Sequence, residues 1–534
     1  MKTALRFAAA LAVSAAVALA VSAAVATVCA QTKERPIPRL VHKDGRYALF
    51  VDDAPYLMLG AQVGNSSAWP GVLPKVWPAI EYLHANTVEM PVYWEQFEPQ
   101  PGKFDYTVTD TLLAQARQHH VHLVLLWFGL YKNGSQHYTP EWMKLDPEKY
   151  QHITGKDGRP VDSPSPFAKA SLDADIHAFT AFMRHLKEAD AERTVLLVQV
   201  ENEAGTWQIR RDYSPVAQKL YEGPVPAEVL AAMHVPAATP APNWQEAFGA
   251  EAEVYFHAWS VATYVGKVAA AGKAVYPLPL YANAALRRAI PPGPPGTYES
   301  GGPTDNVLPI WKVTAPALDI LAPDIYVEDS AEYLKVMELY HRDDNALFIP
   351  ETGHSAGVAR YLFSALGMGT IGFSPFGLDY VEGGTEEQFA PIAQDYKLIG
   401  PIARLIARLN FEGKLQAVSE EKGKASQTMD FGAWKAEVSY GVVRFHEPRG
   451  NPLPIGRALV AQLGENQFLV TGISCGVDFR PSAAGKQRQF LRVEEGTYEN
   501  GVFKTIRIWN GDETDWNLNF RSEPVILRVS LATY

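Results

Sequence analysis

Residues 195–203 read Val-Leu-Leu-Val-Gln-Val-Glu-Asn-Glu, an apolar strand that closes in two carboxylates around a carboxamide. Carboxylates buried without partners are strongly unfavourable, so Glu201 and Glu203 must be met by donors or cations, or sit where the strand opens into a polar cleft. Side chains alternate along a strand, which puts Gln199, Glu201 and Glu203 on one side and Val200 and Asn202 on the other. Spacing alone therefore does not choose between Glu201 and Glu203. A further carboxylate, Glu351, ends a second apolar run, Leu-Phe-Ile-Pro-Glu-Thr-Gly-His at 347–354. A single Glu is most often a solvated or ion-paired residue. Two that end separate apolar strands can face one another across a cleft, and that is the equipment of glycoside hydrolysis. One carboxyl protonates the leaving oxygen, and the other attacks the anomeric carbon or activates water. A separation of about 5 Å gives retention of configuration, and about 6.5 Å or more gives inversion.

The elements that must hold such a pair are legible. Short apolar runs at 56–61, 87–93, 123–128, 195–199, 279–282, 320–326, 347–350 and 370–374 alternate with stretches of helical periodicity at 173–189, 244–271, 331–341 and 355–366. Eight such alternations predict an α/β fold, a (β/α)8 TIM barrel, whose C-terminal mouth gathers the residues that follow each strand. Asn65, Trp94, Glu95, residues 131–133, Asn283 and Glu351 all fall there. Long loops rich in Pro and Gly at 210–242 and 287–309 are expected as walls or lids. After a helical stretch at 386–409 the pattern turns to alternation and turns, at 429–440, 458–473, 489–494, 504–509 and 524–531, which predicts a smaller antiparallel β-sandwich.

The expected division is a signal peptide over 1–30, a barrel over 31–410 and a β-sandwich over 411–534. Lys2 and Arg6 precede an Ala/Val/Leu stretch that ends in Val28-Cys29-Ala30, the pattern of an exported chain with a periplasmic or extracellular destination. Cleavage there would leave Cys475 alone, excluding an intrachain disulfide. It would also take the formal charge from -11 to -13 (-11 - 2 for Lys2 and Arg6). That balance argues against nucleic acid or an anionic membrane as partner and suits a neutral carbohydrate substrate. The fourteen histidines show no pair at metalloprotease spacing, and nothing resembles a calcium loop, so neither metal nor cofactor is expected. The run Gly-Met-Gly-Thr-Ile-Gly at 367–372 fits a dinucleotide spacing but follows a helix and enters a strand, and is read as helix-to-strand packing.

Combined motifs carry a resemblance. Gln-Val-Glu-Asn-Glu at 199–203 resembles the fourth-strand motif of glycoside hydrolase family 35, the β-galactosidases. Asn86-Thr87-Val88, Trp94 and the run Glu-Pro-Gln-Pro-Gly-Lys-Phe-Asp at 98–105 resemble that family's second-strand signature, and Glu351 matches its nucleophile. The runs at 456–464 and 510–515 are similar to a small β-domain appended in one bacterial subgroup. The resemblance spans nearly the whole chain after residue 30. It implies a retaining exo-β-galactosidase acting on oligo- or polysaccharides such as xyloglucan, with Glu203 as acid/base, Glu351 as nucleophile and Glu201 as a structural residue. Asn202 would contact the sugar 2-hydroxyl, and Tyr326 would donate to Glu351. Trp94, Trp127 and Trp207 would stack on sugar, with Asn283 and Asn133 as further contacts. The chain departs from the family in carrying Pro91 for a Tyr, and Trp-Phe-Gly-Leu-Tyr-Lys-Asn-Gly at 127–134 for a Cys-Ala-Glu run. Two other readings stand beside this one: a barrel hydrolase of the same clan acting on another glycoside, and a polysaccharide-binding protein without turnover.

Overall fold

The structure is a computed structural model describing residues 35–534 except 208 and 442–446. The expected export segment, residues 1–30, lies outside the described residues. No helix among those described is long and apolar enough to cross a membrane.

Eight parallel strands close a barrel in sequence order. They are Met58–Gln62, Thr87–Tyr93, His122–Lys132, Val195–Asn202, Leu280–Ala285, Ile320–Ile325, Ile349–Thr352 and Gly372–Pro375. Each coincides with one of the eight apolar runs, displaced by a residue or two in most cases. Every residue of Thr87–Tyr93 and Val195–Asn202 is buried, as expected of strands covered on the inside by barrel side chains and outside by helices. The crossover helices include Lys169–Ala189, Ala252–Val275, Ser330–Tyr340 and Glu386–Ile399. In the first of these Ala178, Phe179, Phe182, Met183 and Leu186 repeat at helical spacing and are buried, while Lys187 lies in the last turn, where it complements the helix dipole. The 367–372 run behaves as packing: Gly367 ends helix Tyr361–Gly367, and a side chain there would collide with the Ala417 carbonyl.

A three-stranded antiparallel sheet, Arg39–Lys43, Arg46–Val51 and Ala54–Tyr56, precedes the barrel and was not anticipated. Its first turn is Asp44-Gly45, both at positive φ, the backbone that a two-residue hairpin requires. Arg404, from helix Ala403–Phe411, donates to the carbonyls of Val51, Ala54 and Pro55 and ties that helix to this sheet.

Beyond the barrel, a six-stranded and a four-stranded antiparallel sheet form the predicted sandwich. Four strands of the larger sheet, Leu415–Ser419, Arg457–Gly464, Gln467–Ile473 and Ile526–Thr533, are covered on both faces, and period two explains how, whereas Val502–Trp509 at its edge is largely exposed. Ala458, Val460, Phe468, Val470, Leu527 and Val529 point into a core shared with Trp434, Val438, Val477 and Phe479 of the smaller sheet. The alternate residues Leu459, Ala461, Leu469 and Ile526 belong to the same apolar cluster as the barrel. Burial of a Leu of this kind contributes about 1.5–3 kcal/mol. At the seam Arg457 donates to Asp395 at 2.6 and 2.8 Å. The Glu420 carboxylate accepts the Asn451 and Gly456 backbone N–H groups and the Asn451 side chain.

Candidate active site

The fourth barrel strand ends by breaking its own alternation. Glu201 (φ +63°) and Glu203 (φ +43°) both adopt left-handed backbone, which is uncommon outside glycine and worth attention where it clusters. Beside them the third strand loops out, because Trp127 pairs with Val200 and Lys132 with Asn202, leaving residues 128–131 in a bulge. The Tyr131 N–H from that bulge donates to Glu201 at 2.6 Å. Glu201 thus turns to the layer between barrel and helix, against Asp175, which in turn accepts the Trp127 indole N–H and the Tyr264 hydroxyl at 3.0 Å each. Burial, then the charge of Asp175, push Glu201 well above the usual carboxylate range, so it holds the proton it shares with Asp175.

Glu203 instead reaches the mouth and remains partly exposed. One carboxylate oxygen each of Glu203, Asp324 and Glu351 lie within 4.8 Å of one another. Glu351 ends the seventh strand, where its two oxygens accept the Tyr326 hydroxyl at 2.6 Å and the Gln62 side chain at 2.9 Å. Burial, then the charge of Glu351, push Glu203 up to about 7, opposed by Lys132 and by a hydrogen bond from Asp324. Asn283 straps the group together: its oxygen accepts the Glu203 backbone N–H at 3.0 Å and its amide donates to Asp324 at 2.7 Å. Lys132, 5% exposed, donates to Asn202 at 2.8 Å and to Asn133. The Asn202 amide nitrogen is buried with no hydrogen-bond partner in the protein. On the loop 287–309, Glu299 is buried with both oxygens unpartnered, and burial followed by the Glu203 charge raises it well above its ordinary range.

Five of the predicted residues therefore meet: Glu203, Glu351, Asn202, Tyr326 and Asn283. The hydrogen-bonding capacity of Asn283 is already engaged within the protein, so it positions the carboxyls. Trp94 and Trp127 correct the expectation of sugar platforms, because both are fully buried. Trp127 packs on Phe97, Phe179 and Phe182 in the outer layer, and Trp94 donates to Glu98. Trp207 is 59% exposed, four residues past Glu203. Gln62, Asp324 and Glu299 were not expected from the sequence, and Lys132 was expected at the mouth but without a role. Strand-end position was the available signal for Gln62 and Asp324. The three carboxylates are, among the described residues, the group close enough to share a cation. Side-chain donors already occupy oxygens of two of them, and no metal is assigned.

Residues 392–521 match a family model described as a domain of unknown function, DUF5597, which begins inside the final long barrel helix. No curated protein matches the chain. Among solved structures, a cold-adapted β-galactosidase from Rahnella sp. R3 is similar at 13% identity and a TM-score of 0.48, covering 66% of this chain and 58% of that one. A β-galactosidase from Bacillus circulans sp. alkalophilus gives 12% and 0.48, covering 66% and 57%. The catalytic domain of a β-amylase from Paenibacillus polymyxa gives 12% and 0.43, covering 59% and 91%. The chain spans less than two thirds of the length of these two β-galactosidases.

Proposed function

We propose that this protein is a retaining glycoside hydrolase of the family 35 type, which releases terminal β-galactosyl residues from oligo- or polysaccharides outside the cytoplasm. The observation that carries the reading is the pair Glu203 and Glu351 at the barrel mouth, with oxygens no more than 4.8 Å apart and unlike surroundings. Glu203, pushed up to about 7, is a carboxylic acid in weakly acidic solution, as a proton donor must be. Glu351 faces two donors, the arrangement suited to a carboxylate that attacks. In the first step a Glu351 oxygen bonds to the anomeric carbon as the glycosidic bond breaks, and the Glu203 proton passes to the departing oxygen. In the second, Glu203 takes a proton from water, whose oxygen displaces Glu351 and restores both groups. Asn202 offers its unpaired amide to the sugar 2-hydroxyl, and the exposed Trp207 offers an aromatic surface. The Glu351 carboxylate at the centre of the mouth disfavours anionic sugars.

The galactosyl specificity and the xyloglucan side-chain substrate rest on the motif resemblance. A second reading, hydrolysis of another neutral glycoside, is favoured by the run 127–134 departing from the family's Cys-Ala-Glu after the third strand. Incubation with a panel of β-galactosides, β-glucosides, β-mannosides and α-L-arabinosides separates the two, and NMR of the first-formed anomer reads the stereochemistry. Galactose released first as the β-anomer is expected. Release of a different sugar alone would move the assignment to the second reading. An inverted product would remove the nucleophile role of Glu351.

A further inference from the structure

We infer that Asp324 is a positioning residue that stays protonated through the reaction and donates its hydroxyl to Glu203 whenever Glu203 is ionised. The inference rests on the hydrolase reading above and adds a third carboxyl to it. Asp324 lies on the sixth strand, 4% exposed, in register with Glu351 of the seventh. One of its oxygens accepts the Asn283 amide, and the other meets no donor from the protein. Among the described residues no Lys, Arg or His pairs with it at ion-pair distance. Lys132, the nearby cation, spends hydrogen bonds on Asn202 and Asn133. An ionised Asp324 here would be a buried anion beside two more. Both Glu351 oxygens already accept, from Tyr326 and Gln62, so the O–H of a neutral Asp324 is left to the Glu203 carboxylate, held by the same Asn283 strap.

The groups around it agree. Glu351 and Glu203 lie within 4.8 Å of it, and Glu299 stands beyond Glu203, while the hydroxyls of Tyr326, Tyr281 and Tyr340 donate to Glu351, Glu89 and the Pro303 carbonyl. Burial, then Glu351 and Glu203, raise Asp324 well above its ordinary range, with Lys132 and Asn283 opposing. Glu203 in turn receives a lowering hydrogen bond from Asp324. The chemical sense follows from the cycle. Glu203 begins as an acid and must then survive as a carboxylate until water arrives. A fixed neutral donor stabilises that second form without adding a charge that would repel it.

The test compares Asp324→Asn with Asp324→Ala in kcat, KM and the pH profile of kcat/KM, with folding checked by circular dichroism. Asn can accept from Asn283 and donate to Glu203, as a protonated Asp does. Asp324→Asn is expected to keep kcat within about threefold and both pH limbs within a few tenths of a unit. Asp324→Ala is expected to lose kcat by about 30-fold or more with KM little changed, and to move the basic limb up by about one unit, since the ionised form of Glu203 loses its donor. A basic limb that falls by a unit in Asp324→Asn would show that Asp324 is an anion and overturn the inference. An Asp324→Ala enzyme indistinguishable from wild type would overturn it as well. If the Ala variant does not fold, the Asn variant decides alone, because the two charge states predict different profiles for it. A wild-type protein that hydrolyses no glycoside would instead sink the hydrolase reading, a result distinct from either.

Discussion

Buried carboxylates occur in two regions of this molecule, and their company differs. At the seam between barrel and sandwich, Asp395 has Arg457 and Glu420 has two backbone N–H groups and an amide. At the barrel mouth, Glu203, Asp324 and Glu299 have Lys132 as the nearby cation, with Glu89 fully buried inside the barrel, and among the described residues none of the four has an ammonium or guanidinium at ion-pair distance. Burial still pushes Asp395 up to about 6 with the guanidinium beside it, whereas Glu89, with a hydroxyl partner in Tyr281, goes to about 8. The seam holds charge in order to join two parts. The mouth holds protons, which is what a site for acid and base chemistry needs.

The contrast is sharpest where a mouth residue is neutralised. Glu351→Gln is expected to lower kcat by about 10⁴-fold or more while leaving thermal stability equal or higher, which activity assays and calorimetry would read together. A seam residue should do the reverse. Arg457→Ala strands the buried Asp395 and is expected to destabilise by about 3–5 kcal/mol, with kcat of the folded fraction unchanged. Glu89→Gln probes the barrel interior without touching the proposed acid or nucleophile. The folded protein holds the Glu89 proton up to about pH 8, against an ordinary value of 4.5. Its contribution to stability is therefore full below pH 4.5 and is lost as pH rises toward 8. The Gln variant should gain up to about 3 kcal/mol at pH 7 and nothing at pH 4, visible in denaturant titrations. The smallest effect concerns Glu203: since the charge of Glu351 raises it, Glu351→Gln should lower its titration by about one unit, measurable by NMR of a labelled Glu side chain.

Why some of this was legible in the sequence, and some not, follows from burial. Strands covered on both faces read as unbroken apolar runs, so all eight barrel strands could be found. The same covering hides which way each side chain points. Trp127 sits on such a strand and turned out to face the helices, so an aromatic near a mouth was misread as a sugar platform. Glu201 and Glu203 share a parity that should have put them together. Positive φ at both residues sends one to the outer layer and one to the cleft, and no propensity rule anticipates that for glutamate. Asp324 was findable, because it shares its parity with Tyr326 two residues on. The leading hairpin was findable too, through Asp44-Gly45, but its strands are half exposed and only moderately apolar.

The strands of the larger sheet that are covered on both sides bear on how such a protein can be recombined. Leu459, Ala461, Leu469 and Ile526 are as much barrel residues as sandwich residues. A chain ended after Phe411 would bare an apolar wall where they had been, so the C-terminal part is no interchangeable cassette. Anyone grafting a new module onto this barrel must copy the outward parity of that sheet, and drift in either half is constrained by the other although only one of them faces the cleft.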